Sequence, residues 1–182
     1  MEAKIILSSQ EVRKAIQRLT HQILERDQSL KDLVLIGIQT RGVCLARRIQ
    51  AAIKELKNQD MPLGVLDITF YRDDLTAIGS SPVVKETNIE FDLNDKRIVL
   101  IDDVLFTGRT IRAALDEIMD FGRPKTIELL VLIDRGHRQL PIRPDFVGKN
   151  IPTSLEESVE VKFQESDGSD EVTIINRQED KR

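Results

Sequence analysis

A chain of 182 residues, 40% of them hydrophobic, can bury one substantial core, and a net charge of −4 with a pI near 5.3 argues against indiscriminate binding to nucleic acid. The charge is uneven, since residues 1–60 hold 11 Lys/Arg against 7 Asp/Glu while the remainder hold 16 against 24. One cysteine excludes an internal disulfide, two histidines without ligand-spaced partners make no recognisable zinc site, and no membrane-length apolar run or signal-peptide pattern is present. The cytoplasm is the expected compartment, with no membrane partner, and Cys44 reads as a small buried hydrophobe.

In chain order, Ser8-Ser9-Gln10-Glu11 has the form of a capping box, and Val12, Ala15, Ile16, Leu19, Ile23 and Leu24 then line one helical face. Leu33 to Ile38 is a buried strand, Gln39-Thr40-Arg41-Gly42 a tight loop, and Val43 to Leu56 a helix. Leu63 to Phe70 is a third apolar run, best read as a strand. Residues 71–95 form a connection long enough to need a job, so about 71–82 is a candidate lid, followed by a short hairpin in "VVKETNIEFD". Ile98 to Ile101 has the β-branching of a buried parallel strand, and Ile111, Ala114, Leu115 and Ile118 repeat at helical spacing. Thr126 to Ile133 is a fifth buried strand. The tail "VEVKFQESDGSDEVTIIN" alternates around a Ser-Asp-Gly-Ser turn as a hairpin does, before a charged end at Arg177 to Arg182. Strands alternating with helices favour an α/β fold with a mostly parallel sheet, as one domain over residues 1–182.

The junction "VLIDDVLFTGRT" poses an electrostatic question. Thr107-Gly108-Arg109-Thr110 at a helix start offers backbone N–H groups, two hydroxyls and the positive end of a helix, which is a phosphate cradle. Asp102 and Asp103 stand at its mouth. A like-charge contact near 4 Å costs about 4 kcal/mol at a surface-like dielectric, whereas the helix returns only about 0.3–1 kcal/mol. A ligand carrying both a phosphate and a sugar reconciles them, because carboxylates accept hydrogen bonds from ribose hydroxyls and help hold Mg²⁺. Thr40-Arg41-Gly42 forms a second small turn at a strand end, with a cation at its centre, so one ligand touching both turns would carry two separated phosphate groups. Gly37 and Gly42 have Walker A spacing without the following Lys-Ser/Thr, and no G-x-G-x-x-G occurs, which disfavours nucleoside triphosphatases and classical dinucleotide enzymes.

"VLIDDVLFTGRT" resembles the phosphoribosyl-pyrophosphate motif of type I phosphoribosyltransferases. "DITFYRDDL", "DRGHRQLPIRPDFVGKNIPTS" and the first helix resemble the bacterial regulators of pyrimidine operon attenuation that are also uracil phosphoribosyltransferases, over about Ile5 to Ile175. The resemblance implies the type I fold, a central mostly parallel sheet flanked by helices, with a small hood over about 134–182 and a C-terminal β-hairpin. It implies transfer of ribose phosphate from phosphoribosyl pyrophosphate to uracil, giving UMP and pyrophosphate, with substrate-bound Mg²⁺. By position, Asp102 and Asp103 would hold the ribose hydroxyls and, through ribose and pyrophosphate, the metal. Thr107, Gly108, Arg109 and Thr110 would cradle the 5′-phosphate, with Val104, Leu105 and Phe106 also in the phosphoribosyl-pyrophosphate site and Phe106 as a wall. Thr40, Arg41 and Gly42 would bind pyrophosphate next to a cis peptide before Arg41, and Tyr71 and Arg72 in the lid would close over it. Asp102, Asp103, Arg41 and Arg72 are the expected catalytic set.

Arg143 to Gly148 also resembles the purine-site strand of hypoxanthine-guanine phosphoribosyltransferases, which makes a purine enzyme the rival activity. Purine members usually carry an aspartate just before the Thr-Gly pair, where this chain has Phe106, and an apolar ring cannot exchange a proton. Uracil is therefore favoured, read around Asp134, Arg135, Arg138 and Arg143. Family likeness also implies binding of pyrimidine-operon leader mRNA, responsive to UMP and UTP, by a homodimer or higher oligomer. Arg18, His21, Arg26, Arg138 and Arg143 are the candidate contacts, Arg138 and Arg143 being claimed by both sites. On spacing alone, Lys14, Arg18 and His21 are an ordinary solvated helix face. A third reading keeps the regulator with negligible catalysis.

Overall fold

An apolar strand without alternation must be covered on both faces. The computed structural model describes residues 3–27, 29–68 and 87–176, and it covers the central strands in this way. In chain order the elements are β1 (Ala3–Leu7), α1 (Ser9–Arg26), β2 (Leu33–Ile38), α2 (Arg41–Lys57), β3 (Leu63–Leu66) and β4 (Arg97–Leu105). There follow α3 (Arg109–Phe121), β5 (Thr126–Asp134), β6 (Phe146–Asn150), β7 (Glu157–Lys162), α4 (Gln164–Asp167) and β8 (Glu171–Asn176). The main sheet runs β3-β2-β4-β5-β6, parallel at every pairing. Side chains alternate through it. Leu33, Leu35, Val99, Ile101, Leu130 and Leu132 pack with α1 and α2, while Val34, Ile36, Ile38, Ile98, Leu100 and Val131 pack with α3.

The strand order places the site. From β2 the chain passes through α2 to β3 on one side, then returns to β4 on the other, and α2 and α3 cover opposite faces. The carboxyl ends of β2 and β4 therefore flank a topological switch point, where such sheets leave a crevice. Both helices that begin there are held by apolar stripes, Val43, Leu45, Ala46, Ile49 and Ile53 on α2 and Ile111, Ala114 and Ile118 on α3. On α1 all six residues of the expected apolar face are buried, and the Glu11 carboxylate accepts the Ser8 N–H and hydroxyl at 2.8 Å each.

The C-terminal hairpin forms as expected, β7 against β8, with its Ser-Asp-Gly-Ser turn tightened into α4 and closed by Gly168 at φ +77. The N-terminal strand β1 was not expected. It pairs antiparallel with β8, Ala3 opposite Ile175, so the small second sheet is ordered β1-β8-β7 and the hood takes in the start of the chain. Other differences are local. The helix expected from Val43 begins at Arg41, which places Arg41 and Gly42 inside the first turn rather than in a loop. The third strand ends at Leu66. Of the expected hairpin near residue 88, the described part makes a single bridge, Asn88 with Val65, at 2.8 Å in both directions. Tyr71, Arg72, the candidate lid and the charged end at Arg177 to Arg182 lie outside the described residues.

Candidate active site

β4 runs from its apolar core into Asp102 and Asp103, and Phe106-Thr107-Gly108 then turns the chain into α3. Gly108 caps the helix at φ +95, and a methyl there would also meet Ile142 at 3.3 Å. Gly108 brings no capping side chain and Thr107 Oγ1 accepts the Arg109 N–H at 3.3 Å, so the helix's positive end, with Thr110 and Ile111, is what faces the cleft. Thr107 is buried, its carbonyl accepting the Gln139 and Leu140 N–H groups at 2.9 and 3.2 Å, which ties the turn to the loop after β5.

The second turn lies directly against the first. A Cβ on Gly42 would stand 2.6 Å from the Ile101 carbonyl oxygen and 3.3 Å from Asp102 Oδ1. The cis peptide is Gln39–Thr40, one bond before the position expected ahead of Arg41. Arg41, Asp102, Asp103, Phe106, Thr107 and Thr110 thereby line one cleft of about 280 Å³, together with Val104, Leu105 and Gly108. The two acids are not equivalent. Asp102 is 7% exposed and its Oδ1 accepts the Asp103 N–H at 2.9 Å, while Asp103 is half-buried. Across the cleft stand Ser158 and Glu160 of β7, which sequence reasoning missed. The alternation of "VEVK" marked a strand but not the face that meets the site.

Around Phe106, the Arg135 guanidinium lies 4.0 Å from the ring centroid, and the His137 ring meets Phe106 edge-on at 6.1 Å. Arg135 also donates to Thr153 Oγ1 at 3.2 Å and to the carbonyls of Ser154 and Glu157 at 3.1 and 2.6 Å. Arg138 grips both oxygens of Asp134 at 2.6 Å and donates to the Phe106 carbonyl at 2.8 Å and the Ile142 carbonyl at 3.1 Å. Three of the expected base-site side chains thus build the loop that surrounds Phe106. Arg143 is exposed and does not line the cleft, and Arg109 turns its side chain to Gln139 Oε1 at 3.0 Å while its N–H donates to Thr107 Oγ1 at 3.3 Å.

Two of the candidate RNA contacts, Arg18 and Arg26, share the edge where α1 meets β6. Arg18 donates to the carbonyls of Val147 and Gly148 on β6. Arg26 meets Glu128 at 2.8 Å and Asp145 at 3.3 Å and lies 4.7 Å over the Phe146 ring, and the Glu128 bond raises its pKa. His21 lines a groove of about 750 Å³ between α1 and α2, and Arg138 lies beneath the Phe106 turn. Cys44 is half-buried and packs against the core. Among the described residues no helix is long and apolar enough to cross a membrane.

The model of the phosphoribosyl transferase domain matches residues 2–165. A protein of Chloroflexus aurantiacus named Bifunctional protein PyrR is 58% identical over 94% of this chain and 94% of its own length. The protein of the same name from Thermus thermophilus is 56% identical over 95% of this chain and 96% of its own. The hypoxanthine phosphoribosyltransferase of Trypanosoma cruzi superposes with a TM-score of 0.73 at 16% identity, covering 95% of this chain and 96% of that one, a likeness of fold. A crevice between two strand-to-helix turns, the matched domain and relatives of this similarity together place the chain in the phosphoribosyltransferase family, among the bifunctional PyrR proteins.

Proposed function

We propose that the protein is a uracil phosphoribosyltransferase that also binds pyrimidine-operon leader mRNA and regulates transcription attenuation in response to uridine nucleotides. The observation that carries the enzymatic half is the contact of two anion turns across Gly42, with Asp102 and Asp103 between them. Phosphoribosyl pyrophosphate has this form, a 5′-phosphate and a diphosphate on either side of a ribose. The first turn of α3 takes the 5′-phosphate, Asp103 and Asp102 take the ribose hydroxyls, and Thr40, Arg41 and Gly42 take the diphosphate.

Among the described residues no three or more His, Cys, Asp or Glu are gathered as a metal cage. That donor set suits Mg²⁺ carried by the substrate's own phosphates, with Asp102 and Asp103 beside it. When bound, the ion neutralises charge on the departing diphosphate. The chain's own part is positional and electrostatic: acids beside a ribose that turns cationic, and Arg41 beside a leaving group that gains charge. Tyr71 and Arg72, by their place in the family pattern, close the site against water.

Uracil rather than a purine is supported by Phe106. Its ring is covered by Arg135 and flanked by His137, an apolar wall with no proton to exchange. With Asp134, Arg135 and Arg138 occupied in holding the loop, and with the Arg135 and Gly136 N–H groups bonded to the Leu105 carbonyl and Asp134 Oδ1, the backbone at His137 and Arg138 is what remains in that loop to read the base. Pyrophosphate release from phosphoribosyl pyrophosphate and Mg²⁺ is expected with uracil alone, when uracil, hypoxanthine, guanine and orotate are offered in turn. Release with hypoxanthine or guanine instead would sink the assignment.

For RNA, the acidic total with a basic first third suits a binder that demands shape and unpaired bases rather than any polyanion. Arg18 and Arg26 share the α1–β6 edge, but the basic patch one subunit offers is small for a specific RNA site, so the binding face, with His21, Arg138 and Arg143, is built across subunits of a symmetric oligomer. Arg138 joins the Phe106 turn to that face and gives nucleotide occupancy a route to it. In gel shifts the structured leader hairpin should bind, more tightly with UMP or UTP and more weakly as salt rises. A scrambled hairpin binding equally well would reject the regulatory claim.

A further inference from the structure

Arg41 and Arg48 stand two helical turns apart on α2, and both are met by the turn that joins β7 to β8. Arg48 anchors that turn. It forks Glu165 at 2.8 and 2.6 Å, forks Asp170 at 3.0 and 2.6 Å, and lies 4.8 Å over the ring of the fully buried Phe163. On the anchored turn the Asp167 carboxylate accepts the Phe163 N–H at 3.0 Å and the Ser166 hydroxyl at 2.6 Å. Its remaining capacity goes to Arg41, Nη2 at 2.8 Å and Nε at 3.3 Å. The Arg41 guanidinium foremost, with these other donors, holds the Asp167 carboxyl well below the usual range.

The geometry of that fork matters. Arg41 is held by its Nε–Nη2 edge alone, and Nη1 has no partner among the described residues, although the side chain is 38% exposed and lines the cleft near Asp103 and Glu160. A free arginine at an anion site loses rotamer freedom when the anion arrives. One already held by a carboxylate that is itself fixed has lost that freedom beforehand. We propose that Asp167 is a positioning residue, holding Arg41 by one edge so that its remaining donors are set for the departing diphosphate. The inference rests on the function proposed above and adds to it a hood residue that touches neither substrate.

Calorimetry with magnesium pyrophosphate, alongside steady-state kinetics, tests it. Asp167→Asn keeps the size of the side chain and removes the charge. It is expected to raise both the Kd for magnesium pyrophosphate and the KM for phosphoribosyl pyrophosphate about tenfold, the scale of one charge-assisted hydrogen bond, and to leave the KM for uracil unchanged. A purely structural role would move both KM values together. If Asp167→Asn also lowers the melting temperature, the cycle with Arg41→Gln decides, since Asp167→Asn should then add nothing to the loss of pyrophosphate binding. Unchanged or tighter pyrophosphate binding in Asp167→Asn overturns the inference alone. A parent protein that takes up no magnesium pyrophosphate overturns the proposed function as well.

Discussion

Replacing Asp103 with asparagine is expected to lower kcat/KM for phosphoribosyl pyrophosphate about 10²-fold, or ~2.7 kcal/mol of transition-state stabilisation, with little change in folding stability. Asp103 is half-buried beside Arg41, and the charge that faces a developing ribose cation is chiefly its own. Asp102 should separate into two behaviours. Asp102→Asn keeps an oxygen for the Asp103 N–H and should fold normally. Asp102→Ala leaves that N–H without its acceptor at a position 7% exposed, and should cost about 1–3 kcal/mol of stability besides activity. Calorimetry on the double alanine variant should find no magnesium-dependent uptake of phosphoribosyl pyrophosphate. If uptake survives there, the acids do not face the sugar and the account of the cleft fails.

How much of this was legible in the sequence depends on the range over which each signal acts. β2 was readable to the residue, and α1 at its start and along its buried face, because an unbroken apolar run and a capping box act locally. The Asp102 to Thr110 turn was readable for the same reason, since strand, small residues and helix start are contiguous. What the sequence withheld was pairing over distance. β1 is a short segment whose partner β8 lies at the other end of the chain, and no local pattern announces that. Asp167 reads as part of a polar turn, and only folding brings it to Arg41, 126 positions away. The basic residues of α1 were legible in part. Lys14, Arg18 and His21 lie on an exposed face as their spacing suggested, but that Arg18 donates to carbonyls of β6 and Arg26 to Glu128 and Asp145 is something no helical periodicity reveals.

Phe106 illustrates a different limit. Its identity argued against a proton-exchanging aspartate, which is a statement about one residue. That it carries Arg135 on its face is a statement about three segments, because Arg135 is in turn bonded to Thr153, Ser154 and Glu157. Through Arg135 the ring of Phe106 is thus tied to the segment that leads into β7.

Gly42→Ala is the substitution that most directly tests whether the two anion turns act as one site. The new methyl would stand 2.6 Å from the Ile101 carbonyl oxygen and 3.1 Å from Asp102 Cα, both backbone atoms of a central strand that cannot give way. The start of α2 must retreat instead, carrying Arg41 with it. Overpacking of this kind costs about 1–3 kcal/mol, which for a chain of this size lowers Tm by roughly 2–12 °C. The displacement of Arg41 relative to Asp103 should cost about 10²-fold in kcat/KM for phosphoribosyl pyrophosphate per folded molecule. Gly148→Ala supplies the comparison. Its methyl would strike the Leu132 carbonyl oxygen between β5 and β6, away from the cleft, so stability should fall while the activity of the folded fraction holds. Were the two variants to lose stability alike and retain equal activity, the close approach of α2 to β4 would be packing alone, and one ligand spanning both turns would no longer follow from it.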